Sequence, residues 1–249
     1  MDGNFKLETT TVWSFPERGK WATHRSTATY RGNFAPQVAR NLILRYSERG
    51  DVVLDPFVGG GTTLVECKIL GRRGIGVDIN PSAVEMCRNN LNFKVNEEYS
   101  QTVRVGDARY LDFLSDESVD LVIAHPPYAD AIKYSENLDG DLSLIPDIKK
   151  FVEEMKIVAK EFLRVLKTGK HCAILIGDLR RNRHVVPLGF EVFRTFLDVG
   201  FIPREIIIKV QHNCRSTDYW AKRSVKNDFL LLNHEYLFVF KKLLFVSPG

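Results

Sequence analysis

The chain has 249 residues, 44% of them hydrophobic, which is enough for one sizeable α/β core with no linker that would separate two. Lys and Arg total 35 against 31 Asp and Glu, so the balance permits a polyanionic partner without demanding one. The four cysteines, Cys67, Cys87, Cys172 and Cys214, stand far apart with no Cys-x-x-Cys pair, which disfavours a metal site or a disulfide framework and suits a reduced cytoplasm; no run reaches the ~20 apolar residues that span a bilayer.

Residues 1–32 read as a polar arm in which Trp13, Phe15, Trp21 and Tyr30 interleave with Arg18, Lys20, His24, Arg25 and Arg31. Such a mixture serves two ends equally well: stacking bases and contacting phosphates, or packing aromatics onto the arm's own domain. A single domain is expected over 33–242, with 243–249 as a tail. Pro36 sits in the first turn of a helix running to about Ser47, with Val38, Leu42, Ile43 and Tyr46 on one face.

The chain then turns apolar at Val52-Val53-Leu54 and breaks into Asp55-Pro56-Phe57-Val58-Gly59-Gly60-Gly61-Thr62-Thr63, the pattern of a parallel strand feeding a tight turn and a helix. Glycines at 59 to 61 let the backbone approach a ligand, and Thr62 or Thr63 is placed to cap the helix that follows. The spacing is neither a dinucleotide fingerprint nor a P-loop, and a carboxylate at the strand end repels a pyrophosphate while accepting from an ammonium group. That combination points to S-adenosylmethionine, a nucleoside cofactor that carries an ammonium and no phosphate.

Gly74 to Asp78 reads as the second strand, its terminal carboxylate suited to the two hydroxyls of a ribose and Ile79 to one face of an adenine. A helix from Pro81 to Phe93 follows. Thr102 to Asp107 is a third strand with a third terminal acid, and Ser118 to Ala124 is a fourth, delivering His125-Pro126-Pro127-Tyr128. Proline fixes the backbone of this loop and brings no competing N–H, so the carbonyls of His125 and Pro126 become rigid acceptors.

Two stretches, Asp55 to Thr63 and His125 to Tyr128, together resemble the signature of the nucleic-acid amino-methyltransferases, enzymes that methylate N4 of cytosine or N6 of adenine. The resemblance covers residues 30–242, with Gly60 where the family usually has Ser and His125 where it has Asp, Asn or Ser. It implies a Rossmann-like class I methyltransferase: α/β, a mostly parallel seven-stranded sheet with helices on both faces, the cofactor motif preceding the catalytic one. It places Asn33 and Phe34 over the methionine end of the cofactor, and Asp107 on the exocyclic amine of its adenine. Asp55, Phe57, Gly59, Gly61, Thr62, Asp78 and Ile79 complete the expected cofactor set. His125, Pro126, Pro127 and Tyr128 are the expected catalytic set, acceptors on the target amine exposing its lone pair to the methyl group and Tyr128 stacking on an extruded base. Imidazole can accept only when neutral.

Asp147 to Lys167 reads as an amphipathic helix covering the sheet, and Cys172 to Ile176 as the next strand, followed by a basic loop whose Arg180 and Arg181 suit phosphate contact with the substrate and solvated surface equally. Gly189 to Val199 is a helix. Arg204 to Gln211 and Glu235 to Lys241 form the antiparallel closing pair. Between them 212–227 is a polar insertion whose Arg215, Tyr219, Trp220, Lys222 and Arg223 make the expected substrate clamp. No segment is long enough for a separate target-recognition domain, so specificity is expected to be short, shape-based or supplied by a partner. DNA with cytosine N4 as target is the leading expectation. RNA, ribosomal RNA in particular, is the second, and a non-catalytic nucleic-acid-binding module the third.

Overall fold

The computed structural model describes residues 5–18, 32–95, 99–212 and 217–243. In chain order the elements are β1 (Val12–Ser14), α1 (Pro36–Tyr46), β2 (Val52–Asp55), α2 (Thr62–Leu70), β3 (Arg73–Asp78), α3 (Pro81–Asn90), β4 (Gln101–Val105), β5 (Val119–Ala124), α4 (Ile148–Val165), β6 (Leu166–Ile176), β7 (Leu179–Arg181), β8 (His184–Val186), α5 (Leu188–Val199), β9 (Ile202–Val210), α6 (Thr217–Lys226) and β10 (His234–Lys241).

The main sheet runs in the order β1-β9-β10-β6-β5-β2-β3-β4. From β6 to β4 it is parallel, and β10 lies antiparallel to both β6 and β9. Eight strands stand where seven are expected. The eighth is β1, from the expected arm, pairing parallel with β9 through Val12↔Ile208 and Ser14↔Val210. Trp13 drives that addition: its side chain is buried in the core and its indole N–H donates to the Thr10 carbonyl at 2.8 Å. Trp13 and Phe15 therefore pack onto their own domain. Trp21, Tyr30 and the neighbouring Lys20, His24, Arg25 and Arg31 lie outside the described residues.

Both faces of the sheet are buried, which is why the central strands read as continuous apolar runs. Val53, Leu121, Ile123, Ala173, Leu175, Leu237 and Val239 face α1. Their alternates Leu54, Val122, Ala124, Ile174, Ile176, Phe238 and Phe240 face α4 and α5, meeting Phe151, Met155, Phe162 and Phe196. The helix α4 begins where the Asp147 carboxylate accepts from the Lys150 amide at 2.9 Å.

Three local expectations are corrected. Neither Thr62 nor Thr63 caps α2; both lie inside it, and the cap is Gly61 in the left-handed region at φ 87°, where a Cβ would sit 2.5 Å from Cys87 Sγ. The basic loop after β6 is a β-hairpin, Leu179 pairing with Val186 and Arg181 with His184. The polar insertion holds a helix, α6, with Tyr219, Trp220, Lys222 and Arg223 on its exposed surface.

Candidate functional site

Successive connections leave β2 in opposite directions across the sheet, through β3 to β4 on one side and through β5 to β6 on the other, so the crevice above the carboxyl ends of β2 and β5 is the topological switch point. A cavity lies there. Asn33, Phe34, Phe57, Gly59, Thr62, Asp78, Ile79 and Asp107 line it, together with His125 and Pro127 of the loop after β5.

The loop between β2 and α2 is held open by Asp78 of the neighbouring strand. Its carboxylate accepts from the Gly59 amide and from the Asn80 amide, each at 2.9 Å, and burial raises its pKa against both hydrogen bonds. Asp55 stands behind the cavity wall, 2% exposed, accepting from the Phe57 amide at 3.1 Å; burial pushes its carboxyl up to about 7. Gly61 also lies outside the lining, shaping the turn beneath it. Asp107 faces the cavity, its carboxylate gripped by Arg109, which also pairs with Glu154 and donates to the Gly140 carbonyl at 3.0 Å.

The opposite wall was not anticipated from the sequence. Tyr134, Gly140, Asp141 and Leu142 follow the His125 loop and fold back over the cavity. Asp141 ties this wall together by accepting from the Ser135 hydroxyl at 2.6 Å and the Ser143 amide at 2.8 Å, while Asn80 donates to the Tyr134 carbonyl at 3.0 Å. Gly140, at φ 82°, leaves no room for a Cβ, which would meet Arg109 Nη2 at 2.7 Å. Only its left-handed glycine and Asx-type turn mark this segment in the sequence.

These residues fit a phosphate-free nucleoside cofactor: among the described residues the lining carries the carboxylates of Asp78, Asp107 and Asp141 and no lysine or arginine that would neutralise a pyrophosphate. Asp78 and Asp107 end successive strands, and the apolar Phe57, Val58, Ile79 and Leu142 lie between and opposite them.

A second cavity opens beside the first and shares Gly32, Asn33, Phe34, His125 and Tyr134 with it; Tyr128, Lys209 and Glu235 lie deeper. Lys209 and Glu235 are direct partners across β9 and β10, and their side chains form a buried ion pair at 2.6 Å. The other Glu235 oxygen lies 2.5 Å from the Tyr128 hydroxyl, whose oxygen lies 2.9 Å from His125 Nε2. The Tyr128 ring packs against Gly177, and Phe34 meets the His125 ring edge-on at 5.6 Å. Burial lowers the His125 pKa against the pull of Glu235, with Lys209 adding to the depression.

Among the described residues, neither the expected clamp residues nor Arg180 and Arg181 line either cavity. Arg181 is committed to Asp130 and to the Pro146 carbonyl, and Arg180 to the carbonyls of Arg183 and Leu230. On α6, Arg223 lies over the Tyr219 ring at 4.4 Å and over the Trp220 ring at 5.8 Å. Arg215 lies outside the described residues.

Comparison with known proteins accords with this geometry. A family model described as a DNA methylase matches residues 3–89, and one described as a methyltransferase domain matches residues 47–187. A tRNA (guanine(10)-N2)-dimethyltransferase of Methanothermobacter thermautotrophicus is 37% identical over 106 residues, 42% of this chain and 30% of the relative. The type II methyltransferase M.HpaI of Haemophilus parainfluenzae is 51% identical over 55 residues, 22% of this chain and 18% of the relative. These matches thus span less than a third of either relative. Among solved structures, TrmN from Thermus thermophilus aligns with a TM-score of 0.58 at 19% identity, covering 89% of this chain and 53% of that one. A SAM-dependent methyltransferase from Methanosarcina mazei aligns with a TM-score of 0.57 at 17% identity, covering 82% of this chain and 97% of the other; both show the shared fold. With a domain match over more than half of its 249 residues, the chain belongs to the methyltransferase domain family.

Proposed function

We propose that the chain methylates the exocyclic amine of a base in nucleic acid, DNA ahead of RNA and cytosine N4 ahead of adenine N6. The observation that carries this reading is the His125-Pro126-Pro127-Tyr128 loop at the junction of two contiguous cavities, one lined by the strand-end carboxylates Asp78 and Asp107 and the other by the aromatic rings of Phe34, Tyr128 and Tyr134. The DNA methylase model over residues 3–89 supports DNA.

When bound, the cofactor supplies an electrophilic methyl on a sulfonium. Asp78 would hold the ribose, Asp107 with Arg109 the adenine edge, and Asn33 with Phe34 the methionine end. Acceptors of the His125 loop would orient the target amine so that its lone pair faces the methyl group; of that loop His125, Pro127 and Tyr128 line the cavities, whereas Pro126 is buried and lines neither. Outside the cavities, the exposed aromatics and cations of α6 suit a polynucleotide strand, Tyr219 and Trp220 stacking and Lys222 and Arg223 meeting phosphate.

An RNA substrate is the second reading, favoured because the matches to archaeal tRNA guanine-N2 dimethyltransferases run over 106 and 129 residues, against 55 for M.HpaI. Unstacked RNA bases also need less energy to enter a pocket. Incubation with methyl-tritiated cofactor and total DNA or total RNA, followed by digestion to nucleosides, tests both. Label in N4-methylcytidine or its deoxy form supports the first choice of base, label in N2-methylguanosine replaces it, and no label in either polymer overturns the nucleic-acid reading.

A further inference from the structure

A row of polar groups leads from the second cavity into the closing strands: His125 Nε2 lies 2.9 Å from the Tyr128 hydroxyl oxygen, and that hydroxyl donates to Glu235 at 2.5 Å. Against burial, which pushes it up, Lys209 and His125 hold the Glu235 carboxyl below its ordinary value, so it is ionised; Tyr128, raised by burial and by Glu235, keeps its hydroxyl hydrogen. With that hydrogen given to Glu235, the one N–H of a neutral imidazole serves the Tyr128 oxygen, and the other ring nitrogen keeps a lone pair able to take one further hydrogen.

Methyl transfer to an amine generates that hydrogen. As the amine lone pair forms the N–C bond, the C–S bond breaks with its electrons going to sulfur, and the nitrogen must then release one proton. We propose that His125 is the catalytic acceptor of that proton, with Tyr128 and Glu235 positioning and stabilising the imidazolium and Lys209 limiting how strongly they do so. This rests on the amine-methylation reading above and adds a role for the closing strands. Among the described residues, the charged and titratable groups around the imidazole are Glu235 from β10, Lys209 from β9, Tyr128 from its own loop, Tyr134 from the facing wall, and Arg18 and His212 at the cavity rim. Glu235 lies 3.9 Å from Nε2 and is the one anion among them.

The sign of each substitution follows. Glu235→Gln removes the anion and must move the His125 midpoint to lower pH; Lys209→Met removes a cation and must move it to higher pH; Tyr128→Phe deletes the acceptor at Nε2, leaves the ion pair intact, and must move it down. Two measurements read this out: the imidazole titration by NMR on the free protein, and single-turnover methylation against pH with cofactor and substrate saturating. The acid limb of the rate should follow the NMR midpoint in every variant, and His125→Gln should lose about 10²- to 10⁴-fold in rate together with the limb. Midpoints that do not move in Glu235→Gln or Tyr128→Phe overturn the network. Midpoints that move while the acid limb stays fixed overturn the proton-acceptor role. Failure of the parent to methylate any nucleic acid sinks the substrate reading instead, and the imidazole titrations still decide whether the network is as described.

Discussion

Asp78 braces the glycine turn and, on the function proposed above, would also hold the ribose; substitution can separate the two tasks. In the free protein its carboxylate accepts from the Gly59 and Asn80 amides at 2.9 Å, bracing the glycine turn; with cofactor bound it would also accept from the ribose hydroxyls. Asp78→Ala leaves the buried Gly59 N–H without an acceptor, which costs about 1–3 kcal/mol of folding stability. The hydroxyls lose their acceptor as well, and a comparable loss of about 1–3 kcal/mol weakens binding roughly 5- to 150-fold. Denaturant melts without ligand report the brace, and calorimetric titration with S-adenosylhomocysteine reports the ribose contact. Asp78→Asn keeps one acceptor oxygen and should lie between parent and Asp78→Ala in both. An Asp78→Ala protein that melts at the parent's midpoint refutes the brace. One that binds S-adenosylhomocysteine within about twofold of the parent refutes the ribose assignment.

Further outcomes test the surroundings of the site. Asp55, raised to about 7 from an unfolded value of 3.8, disfavours folding increasingly as pH rises between those values and constantly above them, so Asp55→Asn should be more stable than the parent at pH 8, by up to about 4 kcal/mol, with most of the gain gone at pH 4 in parallel urea melts. Gly61→Ala meets both a left-handed backbone and Cys87 Sγ at 2.5 Å and should lose about 2–5 kcal/mol; adding Cys87→Ala should recover the packing part but not the backbone part, and a double variant no better than the single one would place the whole cost in φ. If α6 meets phosphates, Lys222→Ala with Arg223→Ala should reduce the salt slope of nucleic-acid binding by roughly 1.4–1.8 without changing cofactor affinity, and an unchanged slope leaves α6 as ordinary surface.

By itself the sequence determined the strand-turn-helix units, because their signals are local: an apolar run of strand length, an acid at its end, glycines, then a helical period. The order of those units and the acids at the ends of β2, β3 and β4 were enough to expect an acidic edge of the sheet, where Asp78 and Asp107 line the cavity. What only tertiary structure decided is carried by contacts distant in the chain. Lys209 and Glu235 look like alternating surface charges of a closing pair; the register of β9 on β10 makes them partners, and the position of β10 beside β6 turns both toward Tyr128 and His125. The wall from Tyr134 to Leu142 has no hydrophobic period to announce it, since side-chain and backbone hydrogen bonds hold it over the cavity. Nor did the seven-strand expectation foresee β1, a three-residue strand too short for periodicity to reveal, whose Trp13 is decided by the space it fills between α1 and the sheet. Local patterning brings the strand-end carboxylates to one edge; cross-strand register sets the charged pair that stands beside His125.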